Sequence, residues 1–436
     1  MLTPFLARMR AWRSLTPALI CVCSPIWAGA QALPSPPTDH TTLPVVSDMA
    51  TMVDMAWARS PRARQIQGMQ LEAQSQSDLA TRWFPGAPSL TLGQRSGDRP
   101  GQRSLREQEV AIQAPLWSSG RRAATSEVSQ AALSAAHADQ LAWRLDLSYQ
   151  VRERIEALNL ATVRLQHAQA LADNLRQLDG DVAKRVKAGD MATVDALLMR
   201  QDVLNADSVV SQARLTLIEA EHAFHVLVGE VRPVLNQHTV PVDLSDAQLD
   251  ELQAKVHDRV LQHPRLMAAQ AEAAHQNKRH ALRLDTVRTP WEVGVLHRRD
   301  QEAQVNRALT SWGLNLKLPL TDDPALRQAA MAARTAADVA DAEAQRAHDL
   351  LESDLLEAIQ RVRHQQAMHA QARAMADAAR ARVDLIRKAY ALGEMGLSDR
   401  LKAEVASAAA ALRVTEQGVL LTQARAQLQY ALGEQP

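Results

Sequence analysis

Four carboxylates stand in two matched pairs. Asp190 and Glu394 are 204 residues apart, and so are Asp195 and Asp399. Both pairs lie just past a glycine, Gly189 or Gly393, that closes a long run of helix-forming residues. An acid at such a place has two uses. It can sit at a helix N-terminus, where the macrodipole favours negative charge. Gathered with others around a narrow aperture, it concentrates cations and repels anions. Histidine is the other candidate for chemistry. His222 and His225, and His364 and His369, share expected helices. Pairs without cysteines or a carboxylate cluster are usually solvated or packed, so no metal site is expected. The sequence has no nucleophile elbow, phosphate loop or zinc-protease motif, and it points to no catalytic residue and no cofactor.

The elements that must position these acids are long rods. Ala123 to Lys187 has no proline and a single glycine, Gly180. Val151, Ile155, Leu158, Thr162 and Leu165 fall at alternating spacings of four and three, the stripe of a helix packed on other helices. At 1.5 Å per residue this rod reaches about 95 Å. Ala325 to Ala391 is a second run of similar length, with neither glycine nor proline. A shorter helix returns from each: Thr193 to Val228, closed by Gly229, and its counterpart closed by Gly433. Ahead of each rod lies a leading helix. The first runs from Ser47-Asp48 to about Trp83 with a kink at Ser60-Pro61, and the second starts at Ser245-Asp246 and contains His263-Pro264. A returning helix stacked end to end on a leading helix would match the rod in length. Two short helices side by side is the alternative.

Between leading helix and rod the period changes to two. Leu90 and Leu92 alternate with Thr91 and Gly93; beyond a polar loop at Ser96 to Gly101, Val110, Ile112, Ala114 and Leu116 alternate with Glu109, Ala111 and Gln113. In the second half Trp291, Val293 and Val295, then Trp312, Leu314, Leu316 and Leu318, repeat the pattern. Each half therefore carries a hairpin of two strands of roughly ten residues with one apolar face. That length suits a membrane crossing. Trp83, Trp117, Trp291 and Trp312 lie at or near the strand ends, where interfacial aromatics sit. Pro115-Leu116 and Pro319-Leu320, Gly189 and Gly393, and Gly229 and Gly433 share the offset of 204, which argues for a tandem duplication.

Composition narrows the class. With 49 basic and 49 acidic residues there is no general electrostatic case for nucleic acid, and 3% aromatics argues against a large globular core. Both cysteines, Cys21 and Cys23, lie in a segment with Arg8, Arg10 and Arg13, the apolar run Leu15 to Trp27, and small residues at Ala28-Gly29-Ala30. This is the pattern of a secretory signal peptide. Ile20 and Val22 precede the cysteines where a lipoprotein signal needs a small residue, so lipidation is not expected. The expected layout is signal peptide 1–32, irregular leader 33–47, first repeat 48–229, equatorial linker 230–244, second repeat 245–433 and tail 434–436.

On these marks the chain resembles the outer-membrane efflux protein family, the TolC-like exit ducts of tripartite pumps. The resemblance covers about Asp48 to Gly433. It is carried by the duplicated layout, by the strand ends Gln113-Ala114-Pro115-Leu116-Trp117 and Leu316-Lys317-Leu318-Pro319-Leu320, and by the turns Arg185-Val186-Lys187-Ala188-Gly189-Asp190 and Lys388-Ala389-Tyr390-Ala391-Leu392-Gly393-Glu394. It implies a mainly α chain with a small β part: a long α-helical barrel, and four strands per chain that contribute to a trimeric twelve-stranded transmembrane β-barrel. The implied partners are two further copies, outer-membrane lipid, a periplasmic adaptor docking on the tips at Ala188, Gly189, Leu392 and Gly393, and an inner-membrane pump of the RND type.

The resemblance also places Tyr390 and Asp399 at the aperture, with Asp195, Asp190 and Glu394 around it. Two departures stand out: Lys402 where a second acid is common, and Met395 where an arginine is common. The Trp57-Ala58-Arg59-Ser60-Pro61 and His263-Pro264 pattern is similar to that of the CzcC-like branch linked to heavy-metal efflux. The implied function is passive conduction from the periplasm, with metal cations as one cargo and drugs or secreted proteins as others. A periplasmic coiled-coil scaffold is the alternative of a different class; it explains the rods but not the hairpins.

Overall fold

The computed structural model describes residues 44–99, 102–234, 244–302 and 308–434. The expected signal peptide, both cysteines, the leader to residue 43, linker residues 235–243 and the last two residues lie outside them. In chain order the elements are β1 (Val45–Val46), α1 (Met49–Arg59), α2 (Pro61–Thr81), β2 (Ser89–Arg99), β3 (Gln102–Pro115), α3 (Arg121–Ala188), α4 (Thr193–Val228), β4 (Arg232–Pro233), α5 (Asp246–Ala254), α6 (Val256–Val260), α7 (Pro264–Asp285), β5 (Glu292–Glu302), β6 (Ala308–Lys317), α8 (Pro324–Ala391) and α9 (Leu397–Ala431). The two rods, α3 and α8, have 68 residues each.

Helix starts follow local chemistry. The Asp48 carboxylate accepts from Thr51 N–H at 3.0 Å to cap α1. Ser60 caps α2, with Pro61 at the first helical position, where a missing N–H costs nothing. His263 and Pro264 do the same for α7, the imidazole Nδ1 accepting from Arg265 N–H at 3.1 Å. A reciprocal Ser245–Gln248 capping box opens α5. The second leading helix is more broken than the single kink expected of it, because Lys255 leaves helical geometry between α5 and α6.

Contacts along α3 show how the rods are flanked. From its upper end, Arg122 Nε donates to the Ala80 carbonyl at 2.6 Å, Asp139 pairs with Arg62 at 2.8 Å, and Arg144 pairs with Asp54. Val151 and Ile155 then pack with Phe224 and Val228, and Arg176 pairs with Asp207. The partners pass from α2 to α1 to α4, so the leading and returning helices lie end to end along the rod. The other flank repeats this. Glu127 meets Lys278 of α7 at 2.9 Å, Asp146 meets Arg265 at 3.4 Å, and Arg152 and Arg164 reach Gln429 and Glu416 of α9 at 2.6 and 2.7 Å. The second rod, α8, closes the row: Asp341 accepts from Asn277 of α7 at 2.9 Å, and Arg387 pairs with Glu404 of α9 at 2.6 Å. Each chain is thus a curtain of four struts.

Having neighbours on both flanks changes which α3 residues are buried. Val151, Ile155 and Leu158 are buried as the heptad stripe predicts, but Thr162 and Leu165 are only half-buried, and Ala161, Ala168 and Ala172 take the core beyond them. A straight α-helix drifts against a seven-residue repeat, so the stripe rotates along a rod of this length. Small side chains at these places let the helices approach closely.

The sheet order is β2-β3-β5-β6, antiparallel throughout, with β2 and β6 at the edges. The hairpin expected to open into a polar loop at Ser96 does not: pairing continues through Ser96↔Arg106 and Gly97↔Leu105, and β3 has 14 residues. Backbone ladders are indifferent to side-chain polarity, so alternation of apolar residues under-reads a strand that leaves an apolar environment. Val45–Val46, within the leader expected to be irregular, pairs in parallel with Arg232–Pro233.

Candidate functional site

The two tips are built alike. At the end of α3, Gly189 adopts φ 80° and donates to the Val186 carbonyl at 3.1 Å, while Asp190 N–H donates to the Arg185 carbonyl at 2.9 Å. At the end of α8, Gly393 at φ 77° donates to Tyr390 at 3.2 Å and Glu394 to Ala389 at 2.9 Å. Both are Schellman closures, in which the left-handed residue frees two amides to satisfy the last carbonyls. Ala188, Gly189, Leu392 and Gly393 are all exposed, Leu392 to 75%. Asp190 and Glu394 follow these closures and point their charge into solvent at the extreme of each tip. Asp195 and Asp399 stand in the first turns of α4 and α9, Asp195 half-buried and Asp399 exposed. The N-terminal-acid use therefore applies to Asp195 and Asp399, and not to Asp190 and Glu394.

Tyr390 is set apart from the acids. It is buried in a cluster with Leu175, Leu178 and Val182 of α3, Met199 of α4, and Leu397 and Leu401 of α9. Its hydroxyl donates to Met191 Sδ at 3.9 Å in the other tip. The guanidinium carbons of Arg185 and Arg400 lie 5.3 and 4.9 Å from its ring centroid. Both are within range of a cation–π attraction. One ring thus joins the tip of the first repeat to that of the second. Behind it Arg387 makes a bidentate pair with Glu404, both bonds 2.6 Å, and Arg400 approaches the same carboxylate at 3.8 Å. The hydrogen bond to Glu404 raises the Arg387 pKa above the usual arginine value. A cavity of about 330 Å³ beside this network is lined by Leu175, Asp181, Arg387, Arg400 and Glu404. Sequence reasoning missed Arg185, Arg400, Arg387 and Glu404 as parts of this site. The i, i+4 spacing of Arg400 and Glu404 was the one local signal.

At the other end of the rods the sheet is two-faced. Across the strands, Leu90, Ile112, Val295 and Leu314 form one row; Leu92, Val110, His297 and Trp312 form the next; Ala114, Val293 and Leu316 form a third. Most of these are exposed, Leu314 to 83% and Leu92 to 71%. The opposite face is charged: Arg298 pairs with Glu107 and, at 2.9 Å, with Asp300, and Lys317 meets Glu292 at 3.2 Å. Trp83 and Trp291 are exposed beside the strand ends, and the Trp117 indole donates to the Arg82 carbonyl at 3.1 Å. Trp312 is not at an end. It stands mid-strand in β6, packed on His297 at 4.7 Å between centroids, because β6 continues past it to Ala308. No helix among the described residues is long and apolar enough to cross a membrane.

Solved structures share this arrangement. A membrane protein from Pseudomonas aeruginosa superimposes with a TM-score of 0.70 at 16% identity, over 90% of this chain and 91% of that one. The outer membrane channel CmeC of Campylobacter jejuni does so at 0.69 and 14% identity, over 88% of this chain and 85% of that one. The chain has the fold of an outer-membrane channel. The resemblance to TolC-like proteins is thereby borne out at the level of fold, as is a mainly α chain of long rods with a small β part. In sequence, the chain is 24% identical over 226 residues to the cobalt-zinc-cadmium resistance protein CzcC of Cupriavidus metallidurans. That match takes in 51% of this chain and 52% of CzcC, so the chain spans about half the length of the curated relative it matches. No family model matches.

Proposed function

We propose that this chain is the outer-membrane exit duct of a tripartite efflux system and is not an enzyme. The observation that carries the reading is the sheet: four strands, two open edges and three apolar rows facing away from the charged side. Open edges invite pairing, and apolar rows of this size need a cover. Three copies joined edge to edge give twelve strands, within the range of outer-membrane barrels, and lipid covers the rows. The same threefold closure joins the four-strut curtains into a hollow cylinder in the periplasm. Exposed apolar residues on the outer struts, among them Leu197, Leu204 and Val209 of α4 and Val339 and Leu350 of α8, provide surface for neighbouring copies.

In this reading the segment 1–32 is a signal peptide removed on export. The tips at Ala188, Gly189, Leu392 and Gly393 dock a periplasmic adaptor, and an RND-type inner-membrane pump loads the duct. Tyr390 helps hold the aperture closed, and Asp190, Asp195, Glu394 and Asp399 ring it with negative charge. The likeness to CzcC favours metal cations as cargo over drugs or secreted proteins.

The test is fractionation followed by electrical recording. The purified protein should come from detergent-extracted outer membrane as a heat-resistant trimer and form cation-preferring pores in planar bilayers. Recovery as a soluble periplasmic monomer would overturn the duct and favour the scaffold. Cargo is tested separately. Deletion of the gene should sensitise cells to zinc, cobalt or cadmium; sensitisation to drugs alone would reassign the cargo and leave the duct standing.

A further inference from the structure

At the junction of the stacked helices, three side chains from two elements converge. His257 lies on α6, and His348 and Glu352 lie one turn apart on α8. His257 Nδ1 is 2.8 Å from Glu352 Oε1, and His348 Nε2 is 3.6 Å from the same oxygen. The donor atoms all lie within 4.8 Å of one another, and the imidazole centroids are 5.3 Å apart. From this geometry we infer a divalent transition-metal site formed by His257, His348 and Glu352.

Three arguments carry it. The first is donor type: two imidazoles and a carboxylate suit zinc, cobalt, nickel or copper(II) and are poorly matched to calcium or magnesium, which prefer all-oxygen shells. The second is spacing. With bonds of about 2.1 Å, ligand atoms of a tetrahedral ion are about 3.4 Å apart. The 3.6 Å separation already fits, and the 2.8 Å one needs a small opening by His257. That side chain is 67% exposed on a helix of five residues, so it can yield, while His348 and Glu352 are fixed by the rod at the i, i+4 spacing that places two ligands on one face. The third is the surroundings. His348 Nδ1 lies 3.4 Å from Asp349 Oδ1, a carboxylate placed to accept its proton and leave Nε2 free to bind.

The ion is resident, not cargo. Bound there, it ties α6 to α8 across 95 residues of chain, at the level where the returning and leading helices meet. Its three protein ligands leave a fourth position for water. The inference does not depend on what the duct conducts.

Full-length protein in detergent, stripped with chelator and titrated with zinc chloride alone, provides the test. Metal analysis after dialysis should find one zinc per chain in the wild type. His257→Ala and His348→Ala should each abolish retention. Glu352→Gln should weaken it severely, and Asp349→Asn should weaken it by about tenfold, as loss of an outer-shell carboxylate does. His222→Ala, on a helix away from the site, should change nothing. His257 is exposed, so its removal does not threaten the fold, and a normal circular dichroism spectrum checks this for all variants. No retention by the wild type, equal retention by His348→Ala, or full retention by His257→Ala would each overturn the three-ligand site.

Discussion

The two tips share a turn and differ in the side chains around it. Each rod ends in a Schellman closure on a glycine, each turn carries an acid, and each returning helix carries another in its first turn. Yet the position of Tyr390 in the second tip is occupied in the first by Val186, and that of Arg400 by Ala196. The tyrosine reaches across to Met191 and sits between two guanidinium groups, one from each repeat. Duplication supplied two equivalent hairpins of helix, and a single aromatic makes one the anchor and the other the socket. The junctions above differ in the same way. In the first repeat Ser60 caps α2 and accepts from the Trp143 indole at 3.0 Å. In the second the capping residue is His263, wholly buried, with Nε2 3.0 Å from the Tyr430 carbonyl. Tyr430 in turn donates to Asp146 at 2.7 Å. The same kink is neutral in one strut and titratable in the other.

The largest effect should come from the anchor. Tyr390→Ala removes a buried aromatic and should destabilise the tips by about 3–5 kcal/mol; if Tyr390 also holds the aperture closed, as proposed, single-channel conductance should rise. Val186→Ala, at the equivalent but half-buried place, should cost about 1 kcal/mol or less. Equal losses on thermal unfolding would erase the distinction between anchor and socket.

The junctions should separate on acidification. Burial holds the His263 pKa below the usual 6.5. As pH falls through that value the unfolded chain takes up a proton that the folded chain resists, so the His263 contribution is intact above it and stability declines below it. Thermal midpoints of wild type and His263→Asn should therefore converge on going from about pH 7.5 to about pH 5.5, with a loss at the higher pH of about 1–3 kcal/mol from unsatisfied polar groups. Ser60→Ala should lower stability by the same amount at both pH values. A constant gap for His263→Asn would contradict the assignment.

The turns themselves should behave alike. Gly189→Ala and Gly393→Ala each meet open space, so the cost is backbone strain alone, about 1–2 kcal/mol. A difference above about 1 kcal/mol between them would show that one turn is held by something beyond its own chain reversal. The smallest effect on stability belongs to the acids. Asp195→Ala and Asp399→Ala should each cost about 0.3–1 kcal/mol as first-turn acids. If Asp399 also lines the aperture, its removal should raise conductance and weaken block by multivalent cations; unchanged conductance leaves it a helix-end acid only.

Much of this architecture was legible in the chain because its signals are local. Absence of glycine and proline sets the rods, glycine at Gly189, Gly229, Gly393 and Gly433 ends helices, Ser60-Pro61 and His263-Pro264 start them, and a shared offset exposes the duplication. Each depends on backbone preferences within a few residues. Period-two alternation located the strands but not their length, since it reports where one face is apolar and β2 and β3 pair well beyond that. Only the tertiary structure decided which side chains meet. Tyr390 and Arg185 are about two hundred residues apart, His257 and Glu352 about ninety-five, His263 and Tyr430 more than one hundred and sixty. The last two encounters depend on the end-to-end stacking of short helices along a long one, and the first on the two rods ending at the same level. A one-turn shift of about 5.4 Å in either alignment would part the pairs that depend on it without changing a single local preference.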